Sequence, residues 1–476
     1  MTKSFETDPL VAPTGGASNE LRVILALSGP LVAIQLLEVL PSSVNGMLTG
    51  HLATQDSESQ LFLAAIGLGG LFFTVFVYSV AIGVSTAMDA LCSQAYGKGS
   101  LHELGYIFQT GLLCASMLYL PLSLLCTFSA GILQYLGQSY EIALAAQHLT
   151  RYMVLGIPFV FGYEFLKRVL QGQTILYPIL AAITLANVVN GLVSYTLMYH
   201  TPLGYAGSAF SAAFLNAAGC AVMLHKVRQL EPWHSHFEWS WTEAWRRLPH
   251  FASLSANGVG MVLFELVGMA VPSFLAGRLP SPAVAMSANT IYMAFRYLFT
   301  MVYLGISFAA GIRVGNALGR GDAVSAKNAA TYSIQLSVAW ALVATVAMMG
   351  LGPYYALGYT SDKAILSTAN DLFWYTGPAQ MAIGIWGTVQ GLFRGMGHPH
   401  QGAILNFIGF VLVGIPLGYY LGFVCGWGVV GLWLGCYTGF TLCAIYGLYW
   451  FCTVDWERMV HEVESTFHQT ATADAY

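Results

Sequence analysis

Residues 35–52 read QLLEVLPSSVNGMLTGHL, a run of apolar and small side chains that contains one glutamate, Glu38. A charged side chain at the centre of a bilayer costs roughly 2.5–3.5 kcal/mol on insertion scales. The whole chain is similarly apolar, since 56% of its 476 residues are apolar and 8% are charged, against about 25% charged in soluble proteins. Water cannot be the solvent for most of this surface, so we expect an integral membrane protein.

Twelve stretches are long and apolar enough to cross a bilayer as helices, which takes about 20 residues each. Numbered as spans 1–12, they are 23–49, 61–91, 104–130, 143–170, 177–200, 205–227, 250–277, 284–311, 326–351, 364–391, 401–424 and 429–452. Several contain Gly or Pro, which bilayer helices accept where neighbours satisfy the backbone. The sequence therefore predicts an all-α membrane protein with twelve transmembrane helices.

Basic residues indicate the orientation of these spans. The two termini and the connections after even-numbered spans lie on one side of the membrane. This side contains Lys3, Arg22, Lys98, Lys167, Arg168, Lys226, Arg228, Arg246, Arg247, Arg313, Arg320, Lys327, Arg394 and Arg458. The other side keeps Arg278 and Lys363. Because cytosolic loops are rich in Lys and Arg, we expect both termini in the cytosol, with tails 1–22 and 454–476. Residues 229–248, with four tryptophans and an Arg pair, are typical of a linker in the cytosolic interface.

The chain also repeats itself. QAYGKG (94–99) ends span 2 and NALGRG (316–321) ends span 8, while LQG (170–172) ends span 4 and FRG (393–395) ends span 10. Repeats in the same topology are related by an axis along the membrane normal. The sequence therefore predicts two six-helix lobes, an N-lobe at 23–228 and a C-lobe at 249–453, related by pseudo-two-fold symmetry about that normal.

The repeat gives Glu38 a counterpart. In FELVGMAVPSFLAGRL (264–279), Glu265 stands twelve residues before GRL, as Glu38 stands twelve before GHL. Twelve residues of helix span about 18 Å, so both glutamates are expected near mid-membrane. Burial disfavours the carboxylate, so a proton and another cation would compete for such a group. Two neutral, hydrogen-bonded structural acids remain the alternative interpretation.

Motifs at the ends of the spans resemble the multidrug and toxic compound extrusion (MATE) family of cation antiporters, particularly its eukaryotic branch. The motifs are MDALCSQAYG (88–97), RVGNALGRGD (313–322) and GLFRGMGHPHQGAILNFIGFVLVGIPLGYYLG (391–422), with GHL after span 1 and ANVVNGLVSY in span 5. The resemblance implies a V-shaped pair of six-helix lobes around a central cavity. It also implies export of amphipathic organic cations in exchange for protons or, in some bacterial members, sodium.

Carried over residue by residue, the resemblance places Glu265 on the span 7 acid that eukaryotic members use for coupling. Other acidic positions of the family fall on neutral residues here: Ala270 in span 7, Met293 or Ala294 in span 8, and Ile383 in span 10. Glu265 is therefore expected to act nearly alone in the C-lobe.

In the N-lobe, the span 1 aspartate of bacterial members aligns with Asn45, and Glu38 lies two turns away on the same helix. The expected cavity residues are Gln35, Asn45, Asn187, Asn190, Tyr292 and Arg296. For the asparagines, packing within the lobe explains the pattern about as well as ligand binding. Tyr292 offers an aromatic face to a cation, or packs in the core.

Five further charged residues require an explanation. Asp89 precedes the QAYG turn and is expected in a structural or a coupling role. Lys167 and Arg168 are expected to snorkel at cytosolic helix ends, as is Arg394. Arg296 lies inside span 8 and needs water or a carboxylate, with Glu265 as one candidate.

Arg151 and Asp371 occupy one repeat position, 220 residues apart, near the outer ends of spans 4 and 10. We expect them to form a gate pair in the state that is closed to the outside.

The sequence contains no HExxH, GxSxG or P-loop motif, and no converging metal ligands around His234 and His236 or His398 and His400. We therefore expect neither an enzyme nor a cofactor or metal site. The expected function is proton-coupled export of organic cations by a monomer that binds no nucleic acid, in the plasma membrane or a vacuolar or vesicular membrane. A flippase for lipids or lipid-linked metabolites and a sodium-coupled exporter remain alternatives.

Overall fold

The computed structural model describes residues 17–52, 56–229 and 239–472, and within these ranges the chain is helical and contains no strand. The helices are α1 Ala17–Gly50, α2 Asp56–Phe73, α3 Ser79–Lys98, α4 Leu101–Thr127, α5 Ser129–Tyr135, α6 Tyr140–Met153, α7 Ile157–Gly172, α8 Tyr177–Tyr199, α9 Gly207–Arg228, α10 Trp241–Ala276, α11 Pro282–Gly319, α12 Ala323–Leu357, α13 Lys363–Thr376, α14 Gln380–Met396, α15 Pro399–Asn406, α16 Ile415–Tyr419, α17 Gly428–Thr453 and α18 Trp456–Thr472. The prediction of an all-α membrane fold is confirmed.

Ten of the predicted crossings are single helical segments that are long and apolar enough to span a membrane, counted over the described residues. Spans 4 and 10 are each divided by one 3₁₀ turn, at Val154–Gly156 and at Gly377–Ala379. Pro158 follows the first turn and Pro378 lies within the second, and a proline removes a backbone donor from the helix. The same crossing is therefore divided by a 3₁₀ turn with a nearby proline in both repeats.

Span 11 departs from regular α-helix in two π-helical segments, Phe407–Gly414 and Tyr420–Val424, on either side of α16. This span packs closely on α17 through glycines. A Cβ atom at Gly435 would lie 2.1 Å from the backbone nitrogen of Gly418, so neither backbone could approach so closely with a larger residue at that position.

The chain divides into two compact units that do not coincide with the two expected lobes. Unit 1 contains Ala33–Val259, whereas unit 2 contains α1 as far as Val32 together with the chain from Gly260 onward. Span 1 therefore contributes residues 23–32 to unit 2 and 33–49 to unit 1, and span 7 contributes 250–259 to unit 1 and 260–277 to unit 2. Hydropathy could not reveal this exchange, because each span is one continuous apolar stretch.

Two of the expected cytosolic segments contain helix. Residues 241–248 of the expected interfacial linker form the first turns of α10. The C-terminal α18 packs on unit 2 by burying Trp456, Met459, Val460 and Val463. His234 and His236 lie outside the described residues.

Candidate functional sites

Glu38 in unit 1 forms an ion pair with a lysine. The Nζ atom of Lys167 lies 2.8 Å from Glu38 Oε1, and the Tyr163 hydroxyl donates to the same oxygen at 3.1 Å. The Glu38 side chain is 14% exposed and that of Lys167 only 3%. Glu38 is therefore a half-buried carboxylate with a cation already in contact.

This contact belongs to a larger group, the five-charge cluster, which consists of Glu38, Asp89, Glu164, Lys167 and Arg168. Lys167 also contacts Glu164 at 2.7 Å, and Arg168 lies 3.4 Å from Glu164 and 3.3 Å from Asp89. Buried ions are tolerated only when each has partners, because the cost of removing them from water is several kcal/mol per ion. The cluster therefore resembles a structural network more than an open binding site.

The expectation that Lys167 and Arg168 snorkel toward the cytosol was wrong. Both are about 2% exposed, because α7 places Glu164 one turn before them and supplies their counter-charge inside the unit. The sequence analysis missed Glu164, although its spacing of three and four residues from two basic residues was a usable signal.

Arg394 is likewise buried rather than snorkelling. Its Nη2 donates to Ser307 Oγ at 2.8 Å, and its guanidinium carbon lies 4.4 Å from the centre of the Phe308 ring. A hydroxyl and an aromatic face thus replace water around this cation.

The asparagines of unit 1 have different environments. Asn45 Oδ1 accepts a hydrogen bond from Ser194 at 2.7 Å, and Asn187 Nδ2 donates to the carbonyl of Leu37 at 3.0 Å. Asn190 is 1% exposed, and within the described residues neither polar atom of its amide has a hydrogen-bond partner. Gln35 is half-buried. Packing therefore accounts for Asn45 and Asn187, but not for Asn190.

Glu265 in unit 2 meets a neutral partner instead. Its Oε2 accepts a hydrogen bond from Gln390 Nε2 at 2.9 Å, and the side chain is half-buried. Among residues 17–52, 56–229 and 239–472, no lysine, arginine or histidine lies within ion-pair distance of it. The charges of Arg394 and Arg296 act on it only from farther away.

The amide that contacts Glu265 is itself fixed by neighbours that the sequence analysis did not identify. Asn406 Nδ2 donates to Gln390 Oε1 at 3.3 Å and to the Met261 carbonyl at 2.7 Å, while Trp386 Nε1 donates to Asn406 Oδ1 at 2.9 Å. Gln390 is thereby oriented with its NH₂ group toward the carboxylate. Glu265 can keep its hydrogen bond with Gln390 in both the protonated and the ionised form, because the amide is neutral.

Arg296 does not form the ion pair with Glu265 that the sequence suggested. It is 2% exposed, with its guanidinium carbon 5.5 Å from the centre of the Trp433 ring and Nη2 3.9 Å from Met269 Sδ. Its Nε has no hydrogen-bond partner within the described residues. This cation is stabilised by an aromatic face and a thioether rather than by a carboxylate.

Tyr292 lies in the core of unit 2 rather than on a cavity wall. It is fully buried, its hydroxyl is hydrogen-bonded to that of Tyr437 and accepts from Thr376 Oγ1 at 2.9 Å, and its ring packs on Phe373 and Trp433. A ring enclosed in this way offers no free face to a ligand.

The residues of the expected gate pair have separate local environments. Arg151 Nε donates to the carbonyl of Thr127 at 3.2 Å, and Asp371 is exposed. The pairing of their charges stays a prediction.

A fully buried ion pair in unit 2 was missed because its partners are far apart in sequence. Arg313 Nε and Nη2 donate to the two carboxylate oxygens of Glu20 at 2.7 and 2.9 Å. This bidentate ion pair connects the first turn of α1 to α11.

On the side where α14 meets α15, His398 Nε2 lies 3.2 Å from Glu462 on α18. Burial lowers the pKa of His398 below its ordinary value, although the charge of Glu462 opposes this shift. In the described part of the chain, no three His, Cys, Asp or Glu side chains converge in the manner of a metal site.

Comparisons with known proteins agree with this architecture. The MatE family model matches residues 30–196 and 258–420, one match in each half of the chain. Multidrug and toxin extrusion protein 2 of Oryctolagus cuniculus is 30% identical over 94% of this chain and 73% of its own length. Multidrug and toxin extrusion protein 1 of Mus musculus is 30% identical over 94% of this chain and 78% of its own length.

The fold matches that of solved transporters. A crystal structure of the eukaryotic MATE transporter AtDTX14 superposes with a TM-score of 0.87 at 20% identity, covering 94% of this chain and 99% of that one. With two family matches covering both halves and curated relatives over nearly the whole length, the chain belongs to the MatE family, as a multi-pass membrane transporter of the eukaryotic MATE type.

Proposed function

We propose that this transporter exports organic cations in exchange for protons by alternating access, with Glu265 as the coupling site. The observation that carries the proposal is the difference between the two mid-membrane glutamates. Both side chains are half-buried, but Glu38 is in contact with Lys167 at 2.8 Å, whereas Glu265 is hydrogen-bonded to a neutral amide. A carboxylate without a fixed counter-ion is the better candidate to exchange one cation for another.

The coupling follows from competition for one charge. In an apolar bundle a proton favours the neutral acid, whereas an arriving organic cation favours the carboxylate, so the two ligands exclude each other. Exchange of one proton for one monovalent cation moves no net charge. Each unit of pH difference then supplies about 1.4 kcal/mol, which is a tenfold accumulation.

The names of the curated relatives, which describe multidrug and toxin extrusion, support xenobiotic organic cations as the substrate class. The distribution of basic residues supports cytosolic termini. We propose that the protein works as a monomer in the plasma membrane or in a vacuolar or vesicular membrane. We retain Glu265 and Glu38 as the expected coupling residues, with Glu265 ranked first. Asp89 keeps its expected structural or coupling role, and Asn45 stays among the expected cavity residues.

The test is uptake of a fluorescent organic cation into proteoliposomes that are acidic inside, compared with vesicles at equal pH. Uptake above the external concentration, driven by the pH difference and unaffected by replacing sodium with choline, is the expected result. Accumulation that follows a sodium gradient would instead favour a sodium-coupled exporter. Movement of a labelled lipid without uphill accumulation of any cation would favour a flippase.

A further inference from the structure

Three buried side chains of unit 2 form a continuous chain of hydrogen bonds that ends on Glu265. Trp386 donates to Asn406, Asn406 donates to Gln390, and Gln390 donates to the carboxylate. Trp386 and Asn406 have no exposed surface, and Gln390 is 6% exposed. We name these three residues the amide relay. The proposed exchange of proton for cation requires only the acid, so the relay needs an explanation of its own.

The direction of the relay is fixed by two groups that each have a single hydrogen-bonding role. An indole N–H can only donate, and a backbone carbonyl can only accept. Asn406 lies between one of each, with its Oδ1 2.9 Å from Trp386 Nε1 and its Nδ2 2.7 Å from the Met261 carbonyl. Turning this amide over would place donor against donor and acceptor against acceptor. Asn406 therefore has one orientation.

This orientation is passed on to Gln390. The remaining N–H of Asn406 donates to Gln390 Oε1 at 3.3 Å, which directs Gln390 Nε2 toward Glu265 Oε2 at 2.9 Å. Both amide donors of Asn406 are thus in use, one on the Met261 carbonyl and one on Gln390. Gln390 can therefore offer Glu265 a donor but not an acceptor.

A fixed donor discriminates between the two forms of the acid. A hydrogen bond donated to an ionised carboxylate is stronger than one donated to a neutral carboxyl group. The O–H of protonated Glu265, in turn, finds no acceptor in an amide held this way. The relay therefore favours the ionised form, which binds the substrate cation, whereas burial favours the protonated form.

The backbone changes register at the residue that orients Gln390. Asn406 is the last residue of α15, and the π-helical segment Phe407–Gly414 follows it directly. Short π-helical segments interrupt the regular spacing of side chains and are frequent at functional sites. This position agrees with a functional role for the Asn406 amide.

We propose that Asn406 is a positioning residue that sets the pH range of the exchange by keeping Gln390 a hydrogen-bond donor to Glu265. The inference rests on the proposed function and adds a residue that acts through Gln390 rather than on the acid itself. Without Asn406, the Gln390 amide is free to turn over and accept the O–H of the protonated acid. The proton is then retained at higher pH, and the cation is excluded there.

Exchange of radiolabelled for unlabelled tetraethylammonium across proteoliposomes tests this inference. The pH is equal on both sides and is varied, so that no pH difference drives the exchange and its rate reports competition between proton and cation. Empty liposomes correct for passive entry. We expect Asn406→Leu to raise the pH of half-maximal exchange by about 0.7 unit, a roughly fivefold stronger retention of the proton.

Three further variants assign the shift to the orientation of the amide. Asn406→Thr keeps a hydroxyl donor for the Met261 carbonyl but is too short to reach Gln390, so it should give the same shift and serves if the leucine variant does not fold. Trp386→Phe is the matched control, because it leaves both donations of Asn406 in place and should not move the midpoint. In a Gln390→Met background, Asn406→Leu should add no shift, because the amide that it orients is gone.

Infrared spectroscopy gives a readout that does not depend on transport. Subtracting the spectrum of Glu265→Gln isolates the C=O stretch of protonated Glu265, whose intensity is then followed as the pH is raised. The band should persist to higher pH in Asn406→Leu than in the wild type, and Trp386→Phe should match the wild type.

The outcomes separate the two proposals. An exchange rate of the wild type that does not depend on pH contradicts the proposed function, and the infrared titration then decides the inference about Asn406 by itself. A lower rate with an unchanged midpoint and an unchanged infrared titration in both Asn406 variants overturns that inference and leaves the proposed function standing. The same holds if Trp386→Phe gives an equal shift, or if the shift persists in the Gln390→Met background.

Discussion

The two units place a glutamate at matching positions of the repeat but surround it differently. Offset by 223 residues, Lys167 of unit 1 corresponds to Gln390 of unit 2, and Tyr163 corresponds to Trp386. Lys167 contacts Glu38 directly, whereas Gln390 contacts Glu265. A lysine in unit 1 and a glutamine in unit 2 thus distinguish an ion pair from a neutral hydrogen bond. At the same offset, Glu164 and Arg168 of the five-charge cluster correspond to Gly387 and Gly391.

The surroundings of the two acids share a second feature. Asn187 of unit 1 and Asn406 of unit 2 each donate from Nδ2 to a backbone carbonyl of the helix that carries the glutamate, Leu37 in one case and Met261 in the other. The residue at position 167 or 390 therefore decides whether each acid already has a counter-ion.

The largest expected effect is the loss of pH-driven uptake in Glu265→Gln. The amide keeps the size and hydrogen-bonding capacity of the acid but cannot exchange a proton for a cation, so accumulation should fall to that of empty liposomes. Glu38→Gln should reduce it less. Dye uptake in proteoliposomes checks both, and stronger damage from Glu38→Gln would reverse the ranking of the two units.

Lys167→Met tests the comparison in unit 1 by removing the ion pair at Glu38. Removing one partner of a buried ion pair costs about 3–5 kcal/mol, because Glu38 and Glu164 are left with an uncompensated charge. We expect a marked fall in the midpoint temperature of thermal unfolding. It is measured in detergent by an assay that does not depend on labelling of cysteines. Gln390→Met is the matched control in unit 2 and should cost far less. Equal destabilisation by the two changes would contradict the distinction between ion pair and hydrogen bond.

Gln390→Lys gives the unit 2 acid the partner that its counterpart has in unit 1. The ammonium group of a lysine at this position should keep Glu265 ionised and paired with that lysine. The pH-driven uptake should therefore fall about tenfold, equivalent to about 1.4 kcal/mol. The half-saturating dye concentration should rise while folding is preserved. Uptake that remains at the wild-type level would falsify the view that a fixed counter-ion inactivates such a site.

Much of this fold was predictable, because hydropathy and repeated motifs report directly on which segments cross the membrane and in what order. Glu265 was identifiable for the same reason: a carboxylate in an apolar span is visible in the sequence. The partners were not, because Lys167 lies more than a hundred residues from Glu38, as does Gln390 from Glu265, and periodicity does not specify which helix faces they share. Tyr292 was left between cavity and core, and Arg296 was placed beside Glu265, because burial within a unit and exposure to a cavity look alike in an apolar span.

The smallest expected effect concerns how the fourth crossing of each repeat begins. In unit 2 the Asp362 side chain caps α13 by accepting from the backbone nitrogens of Ala364 and Ile365 at 2.8 and 3.2 Å, whereas Ser139 before α6 in unit 1 makes no such bond. Losing an N-cap costs about 1 kcal/mol, so Asp362→Ala should speed amide exchange in the first turn of α13 roughly fivefold. Ser139→Ala should leave exchange in α6 almost unchanged, because no capping bond is lost. Hydrogen exchange read by mass spectrometry compares the two helices in one experiment, and equal effects would mean that the two crossings begin alike in the membrane.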